Sequence, residues 1–325
     1  MAMKALIITE SYLPRIGGVE KHIAGIKPYL EQAGFELKIF DKAAIFQDRP
    51  LKKIFGLLEI WWALFKKIKW IKEADIIFIH DVFIYYLPFK FLFPSKKIIS
   101  TFHGWEKIYP IPLKNICYKQ IAQKLSHRSI SIGSYINKYY HLQSKNNDLS
   151  YGAVDLPPVK IDSKAKEKNS FLFVGRLEKD TGLAIFLEFL DILIEKKIIF
   201  SVKFCGDGEM KKNCLRYGQV LGFVDPSKFL AKSEFCFAGG YLSILEAMAY
   251  SNIVLSGFDH DLKKDYLLDS PFAQNIICAD QAQLLFEKYH YLQNKDQIIQ
   301  ANYNLARQYS FAKLAKLYLK EIQEK

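Results

Sequence analysis

Short apolar runs alternate with longer segments whose apolar residues recur at helical spacing, and the pattern occurs twice along the chain. Residues 4–9 form an apolar run ending in a polar loop. Residues 19–33 carry apolar positions at helical spacing and stop at Gly34, and residues 36–40 read as a second strand. Further strand-like runs lie at 75–80, 97–102 and 129–132. A polar, lysine-rich stretch at 157–169, opening Pro157-Pro158, reads as a linker. After it come runs at 170–174, 201–205, 219–223, 234–237, 253–256 and 275–278, each separated by a segment able to form a helix. This alternation predicts an α/β protein of parallel sheets covered by helices, with ligands bound outside the carboxyl ends of the strands. At 325 residues the chain suits two such domains, residues 1–156 and 170–310, side by side around a cleft.

Composition narrows the setting. Half of the residues are apolar or aromatic, with 25 Phe and 19 Tyr, which excludes global disorder. The five cysteines, at 117, 205, 214, 236 and 278, are odd in number and contain no C-x-x-C pair, so neither a disulfide framework nor a zinc knuckle is expected. We read a reducing, cytoplasmic compartment. The first apolar run is too short for a signal peptide, and lysines interrupt the most hydrophobic stretch, residues 51–72, so no membrane span is expected.

The charge is uneven. Of the net +12, residues 1–160 carry +11 and residues 161–325 carry +1. A basic first half suits an anionic partner such as a membrane leaflet, a phosphorylated acceptor or nucleic acid, or else forms a solvated lysine-rich surface. Residues 51–72 hold six lysines and three tryptophans in a helical rhythm. That pattern fits a basic helix lying in a membrane interface, or a helix packing its aromatic side on the first sheet with its lysines in solvent. No nucleic-acid reader motif accompanies the charge, so no nucleic-acid partner is expected.

Four loops at strand ends carry candidate chemistry. Gly17-Gly18 precede a helix start, where backbone N–H groups and the helix dipole favour an anion. The spacing is not the dinucleotide fingerprint, so no nicotinamide or flavin cofactor is expected. Gly175-Arg176 follow a buried strand, and the planar fork of an arginine there can hold two phosphate oxygens at once. Gly206-Asp207-Gly208 form another glycine-rich turn. Gly239-Gly240 lead into a helix containing Glu246, a carboxylate placed to accept hydrogen bonds from a sugar diol. Of the histidines, His103 beside Gly104 is the best candidate for a site. His22, His80 and His127 are expected in core or loop roles, and His141, His260 and His290 are expected to be exposed and idle.

In order and spacing, this set resembles the family 4 glycosyltransferases, the retaining, nucleotide-sugar-dependent group with the GT-B fold. The matching pieces are Gly17-Gly18-Val19-Glu20, Phe102-His103-Gly104, Tyr151-Gly152-Ala153-Val154-Asp155, Val174-Gly175-Arg176-Leu177, Gly206-Asp207-Gly208, Leu221-Gly222-Phe223-Val224 and Leu245-Glu246-Ala247-Met248-Ala249. They span almost the whole chain. The resemblance implies two Rossmann-like domains, the first for the acceptor and the second for a nucleoside-diphosphate sugar, with residues 311–325 crossing back to the first. It also implies that Arg176 contacts the diphosphate, Glu246 takes the ribose hydroxyls, the Gly17-Gly18 loop closes over the phosphates and His103 lies by the donor sugar. Arg176 and His103 are the expected catalytic positions, and Gly208, Val224, Gly240, Tyr241 and Leu242 complete the donor-binding set. The implied acceptor is a glycan or lipid-linked saccharide at the inner face of the membrane. No metal and no cofactor are expected, and no general base is named.

Three departures stand beside the matches. Eight positions before Glu246, where the family carries its paired glutamate, the residue is Ala238. Where the family carries a lysine before Gly182, the residue is Thr181. The Gly-Gly usual after residues 253–256 is also replaced, by Gly257-Phe258-Asp259. A catalytically impaired protein that binds a nucleotide or a partner is therefore the second reading, and a sugar-nucleotide epimerase a distant third. The run Asp259-His260-Asp261 looks like a metal motif of another fold and is expected to be structural.

Overall fold

The apolar runs fold as strands because each is short and rich in β-branched and aromatic side chains, which pack well on a pleated surface. A computed structural model of the chain describes residues 2–15, 17–47, 55–104 and 108–323. Its first sheet contains β1 (Met3–Thr9), β2 (Phe35–Asp41), β3 (Ile76–His80), β4 (Lys97–Phe102), β5 (Arg128–Ile132) and β6 (Asn147–Ser150). The order is β2-β1-β3-β4-β5-β6, with every neighbouring pair parallel. The second sheet contains β7 (Glu167–Val174), β8 (Ser201–Cys205), β9 (Gln219–Gly222), β10 (Ser233–Ala238), β11 (Ile253–Gly257) and β12 (Ile276–Ala279). Its order is β12-β11-β10-β7-β8-β9, again parallel. Each sheet reverses direction at a switch point, between β1 and β3 in the first and between β7 and β10 in the second. Doubly wound sheets bind ligands at such points.

The chain divides into two compact units, residues 1–151 with 311–325, and residues 152–310. Residues 152–156, read from the sequence as the end of the first domain, belong to the second unit. The polar stretch 157–169 holds a short 3-10 turn at Ser163–Ala165 and the first residues of β7. Within the first unit the helix Phe311–Gln323 packs along the helix Gly18–Gln32. The two approach so closely at Gly25 that an added Cβ would stand 2.2 Å from the Phe311 ring. The core of the second unit is aromatic, with Phe171 stacked on Phe235 at 5.1 Å and Phe186 on Phe237 at 4.7 Å.

Two sequence expectations need correction. β6, Asn-Asp-Leu-Ser, is absent from the list of expected strands because an edge strand with polar side chains has no apolar signature. The basic segment 51–72 is not one helix. Residues 51–54 lie outside the described residues, and the rest forms two helices, Gly56–Lys66 and Ile68–Glu73, broken at Lys67. Nor do its tryptophans share a face. The first helix buries Gly56, Ile60 and Leu64, Trp61 donates to the Ile84 carbonyl at 2.8 Å, and Leu58, Trp62 and Phe65 are exposed.

Candidate functional site

At the switch point of the second sheet β7 and β10 run in register, with Ala238 opposite Val174, so their following loops emerge side by side. The loop after β7 presents Gly175-Arg176. Arg176 is half-exposed, pairs through Nη1 with the Glu178 carboxylate, and donates from Nη2 to Asp180 Oδ2 at 2.7 Å. Two carboxylates of its own turn thus hold the guanidinium in place, and an incoming phosphate would exchange with them. Thr181 is turned inward, its hydroxyl donating to the Glu178 carbonyl at 2.6 Å. Gly182 follows with φ +79°, and an added Cβ there would meet the Gly257 carbonyl oxygen at 2.5 Å, so only glycine fits without strain.

The loop after β10 brings Gly239 against the Thr181 carbonyl and, through Gly240, starts the helix Tyr241–Ala249. The first N–H groups of a helix have no partner within it. Here the Tyr241 N–H donates to the Tyr266 hydroxyl at 2.7 Å, its phenol donates to the Tyr266 carbonyl at 2.7 Å, and the two rings stack at 4.0 Å. Tyr241 is thereby committed to packing. Glu246 is half-buried on the second turn, near enough to Cys236 of β10 to add to the upward push that burial gives that thiol's pKa. Gly208 packs on the Leu177 carbonyl, and Asp207 accepts from the Gly208 N–H at 2.9 Å and from Lys211 at 3.0 Å. Val224 lies half-buried just after β9.

Sequence reasoning missed a cation at this place. Lys263, 2% exposed on the helix Asp261–Leu268, donates to the Gly239 carbonyl and lies within electrostatic range of Asp180 and Arg176. Burial lowers its pKa to about 8, against the raising effect of Asp180. No spacing rule marks it, because its helix reaches the site only through the fold of the second unit. Lys179, two positions before Thr181, is exposed. His260, expected to be idle, caps the same helix, its Nδ1 accepting from the Lys263 N–H at 3.1 Å.

The first unit gathers its own polar centre at the switch point between β1 and β3. Gly17 caps the helix Gly18–Gln32 in extended conformation. The nearby Glu20 carboxylate accepts from the Ser11 hydroxyl, so this helix start already carries an anion of the protein. Gly18 has open space around it. His22 lies on the next turn, His80 ends β3 and His103 follows β4. Their rings converge, with centroids 4.7 Å apart for His22 and His103, 5.2 Å for His80 and His103, and 5.7 Å for His22 and His80. His80 Nδ1 and His103 Nε2 share a hydrogen bond of 2.9 Å, and His22 Nε2 is 2.8 Å from the Tyr318 hydroxyl. The backbone N–H of His103 donates to the Asp81 carboxylate. Burial lowers the His22 pKa to about 3 and holds His80 and His103 well below the ordinary range, so all three are neutral near pH 7. One nitrogen from each lies within 4.8 Å of the other two, and among the described residues no other set of three or more His, Cys, Asp or Glu meets that condition. The expected core roles of His22 and His80 thus hold for burial but miss their convergence on His103.

Two parallel six-stranded α/β units of this kind define the GT-B architecture. No family model matches the chain, and neither does any curated protein sequence. Solved structures do. A glycosyltransferase from Rickettsia africae aligns at a TM-score of 0.70 with 16% identity, covering 99% of each chain. The apo form of the lipopolysaccharide outer core galactosyltransferase WaaB aligns at 0.65 with 14% identity, covering 98% of this chain and 99% of its own. An alpha-glucosyltransferase in complex with UDP and a 13-mer DNA aligns at 0.65 with 15% identity, covering 99% and 100%. All three are glycosyltransferases, and at these identities what they share with this chain is the fold.

Proposed function

We propose that the chain is a retaining glycosyltransferase of the family 4 type, moving a sugar from a nucleoside-diphosphate donor to a glycan or lipid-linked saccharide at an anionic membrane surface. The observation that carries this reading is the meeting of Arg176 and buried Lys263 at the switch point of the second sheet, where the helix Tyr241–Ala249 begins. A sugar leaving a diphosphate needs stabilisation of the charge that builds on the β-phosphate, and preorganised donors supply it. In this reading the bond from the anomeric carbon to the phosphate oxygen breaks and the acceptor oxygen bonds to that carbon on the same face. The departing phosphate takes the acceptor's proton, so no side chain acts as general base. Lys263 replaces the cation lost at Thr181, Glu246 takes the ribose hydroxyls, and Gly175, Gly208, Val224 and Gly240 line the nucleotide. No divalent cation is required at the diphosphate.

The acceptor class draws on the surface, since one fold serves both a lipopolysaccharide enzyme and one bound to DNA. The exposed Leu58, Trp62 and Phe65, followed by Lys66, Lys67, Lys69 and Lys72, favour a lipid interface over a nucleic acid. Peripheral attachment is what this reading requires. Among the described residues, no helix is long and apolar enough to cross a membrane.

The test is calorimetric binding of UDP, GDP, ADP, dTDP and CMP, with and without magnesium. One nucleotide is expected to bind without metal, and Arg176→Ala, Glu246→Ala and Lys263→Met are each expected to weaken it by about 1.5 to 3 kcal/mol. Since Lys263 loses its proton above about pH 8, wild-type affinity should fall as pH rises through that value, and the Lys263→Met variant should not show the fall. A second reading, a GT-B protein that has lost its donor, is favoured by the carboxylates of Glu178 and Asp180 on Arg176 and by Ala238, which is buried at the end of β10. Absence of any nucleotide binding by folded protein would establish that second reading instead.

A further inference from the structure

We propose that His22, His80 and His103 form a binding site for a divalent transition-metal ion of the zinc class, built wholly within the first unit. The site goes beyond the donor reading and is independent of it, because a chain that binds no nucleotide can still bind the ion. Three elements supply one imidazole each: the helix Gly18–Gln32, the end of β3 and the loop after β4. Their nitrogens already lie within 4.8 Å of one another. A zinc ion held at about 2.0–2.1 Å from each nitrogen asks for separations of roughly 3.3 Å in tetrahedral geometry. The three nitrogens, now within 4.8 Å of one another, would draw together by at most about 1.5 Å to reach that geometry.

The second observation is at His80. This residue is 1% exposed, yet its Nε2 is buried with no hydrogen-bond partner among the described residues. Leaving such a group unsatisfied is costly, whichever tautomer the ring adopts. With the proton on Nδ1, in the bond to His103, Nε2 carries a lone pair, and a cation taking that lone pair removes the cost. The donor set decides the class of ion: neutral imidazoles suit zinc, copper and nickel, whereas magnesium and calcium prefer oxygen. The site also has an outer shell. The Tyr318 hydroxyl, 2.7 Å from Thr101 Oγ1 and 2.8 Å from His22 Nε2, orients the His22 ring, as partners behind metal-binding histidines do. The nearest charges nearly balance, since Lys119 Nζ lies 3.3 Å from Asp81 Oδ1. His103 is only partly buried, which leaves a side for a water or a fourth ligand.

The test uses the full chain, free of any affinity tag and stripped of metal by a chelator, at pH 7.5. Zinc is titrated by calorimetry, and cobalt(II) is titrated while the imidazole proton resonances of the seven histidines are recorded. One equivalent of zinc is expected. Substoichiometric cobalt is expected to broaden the resonances of His22, His80 and His103 before those of the other four. His80→Gln should weaken zinc binding by about 100-fold or more, while His141→Gln and His290→Gln leave it unchanged. Absence of saturable zinc binding, or broadening centred on His141, His260 or His290, overturns the proposal. Should His80→Gln fail to fold, the cobalt titration of the wild type decides alone.

Discussion

Lys166 shows how much a single buried charge can shape the behaviour of the chain. It stands just before β7, with Nζ donating to the Leu230 and Ser233 carbonyls at 2.8 Å each, and burial lowers its pKa to about 7. In the unfolded chain the same group titrates near about 10.4. Between these values the unfolded state holds a proton that the folded state sheds, so this lysine makes stability rise with pH above about 7. The four buried cysteines act in the opposite sense at higher pH, because burial raises their thiol pKa values. The clean measurement is therefore a comparison with Lys166→Met from pH 7 to 8.5, by urea unfolding. Wild-type stability should gain on the variant by up to about 1.4 kcal/mol per pH unit. The two carbonyls keep Asn252 Nδ2 as a donor at 3.1 and 2.6 Å, which limits the loss in the variant.

Elements set what each loop tolerates. The turn at Gly182 combines φ +79° with a carbonyl 2.5 Å from any added Cβ, and the carbonyl belongs to β11, a fixed backbone. Gly182→Ala should therefore destabilise the second unit by more than about 1 kcal/mol, read as a lower urea midpoint, and should weaken nucleotide binding by displacing Thr181 and Arg176. The helix Gly56–Lys66 behaves differently, because its outer stripe touches little. Replacing Trp62 by Ala, or Lys66, Lys67, Lys69 and Lys72 together by Gln, should change stability by less than about 0.5 kcal/mol. Co-sedimentation with vesicles containing anionic lipid should drop in both cases. Unchanged partitioning of the lysine variant would remove the membrane surface from the proposed function.

At the scale of the whole molecule, most of the architecture was legible in the pattern of the chain. Eleven of the strands coincide with apolar runs to within a few residues, because a parallel sheet covered on both faces needs continuous apolar strands. β6 escaped because it lies at an edge and its side chains are polar. The loops carrying Gly175-Arg176 and Gly239-Gly240 were legible as strand-to-helix turns, since glycine marks a backbone that must come close to something. Hydrophobic periodicity and glycine placement are local quantities, and so the sequence by itself determined the succession of elements, the two α/β units and the turns at their strand ends. Which side chains meet across 20 to 300 positions is a property of strand order and helix packing. Only the tertiary structure brought Lys263 to the Gly239 carbonyl, gave the Tyr241 N–H to Tyr266, and gathered His22, His80 and His103 around Tyr318. A lysine or histidine in the chain carries no mark of its distant partner, since its charge and pKa come from burial and neighbours that exist only once the sheet has closed on its helices.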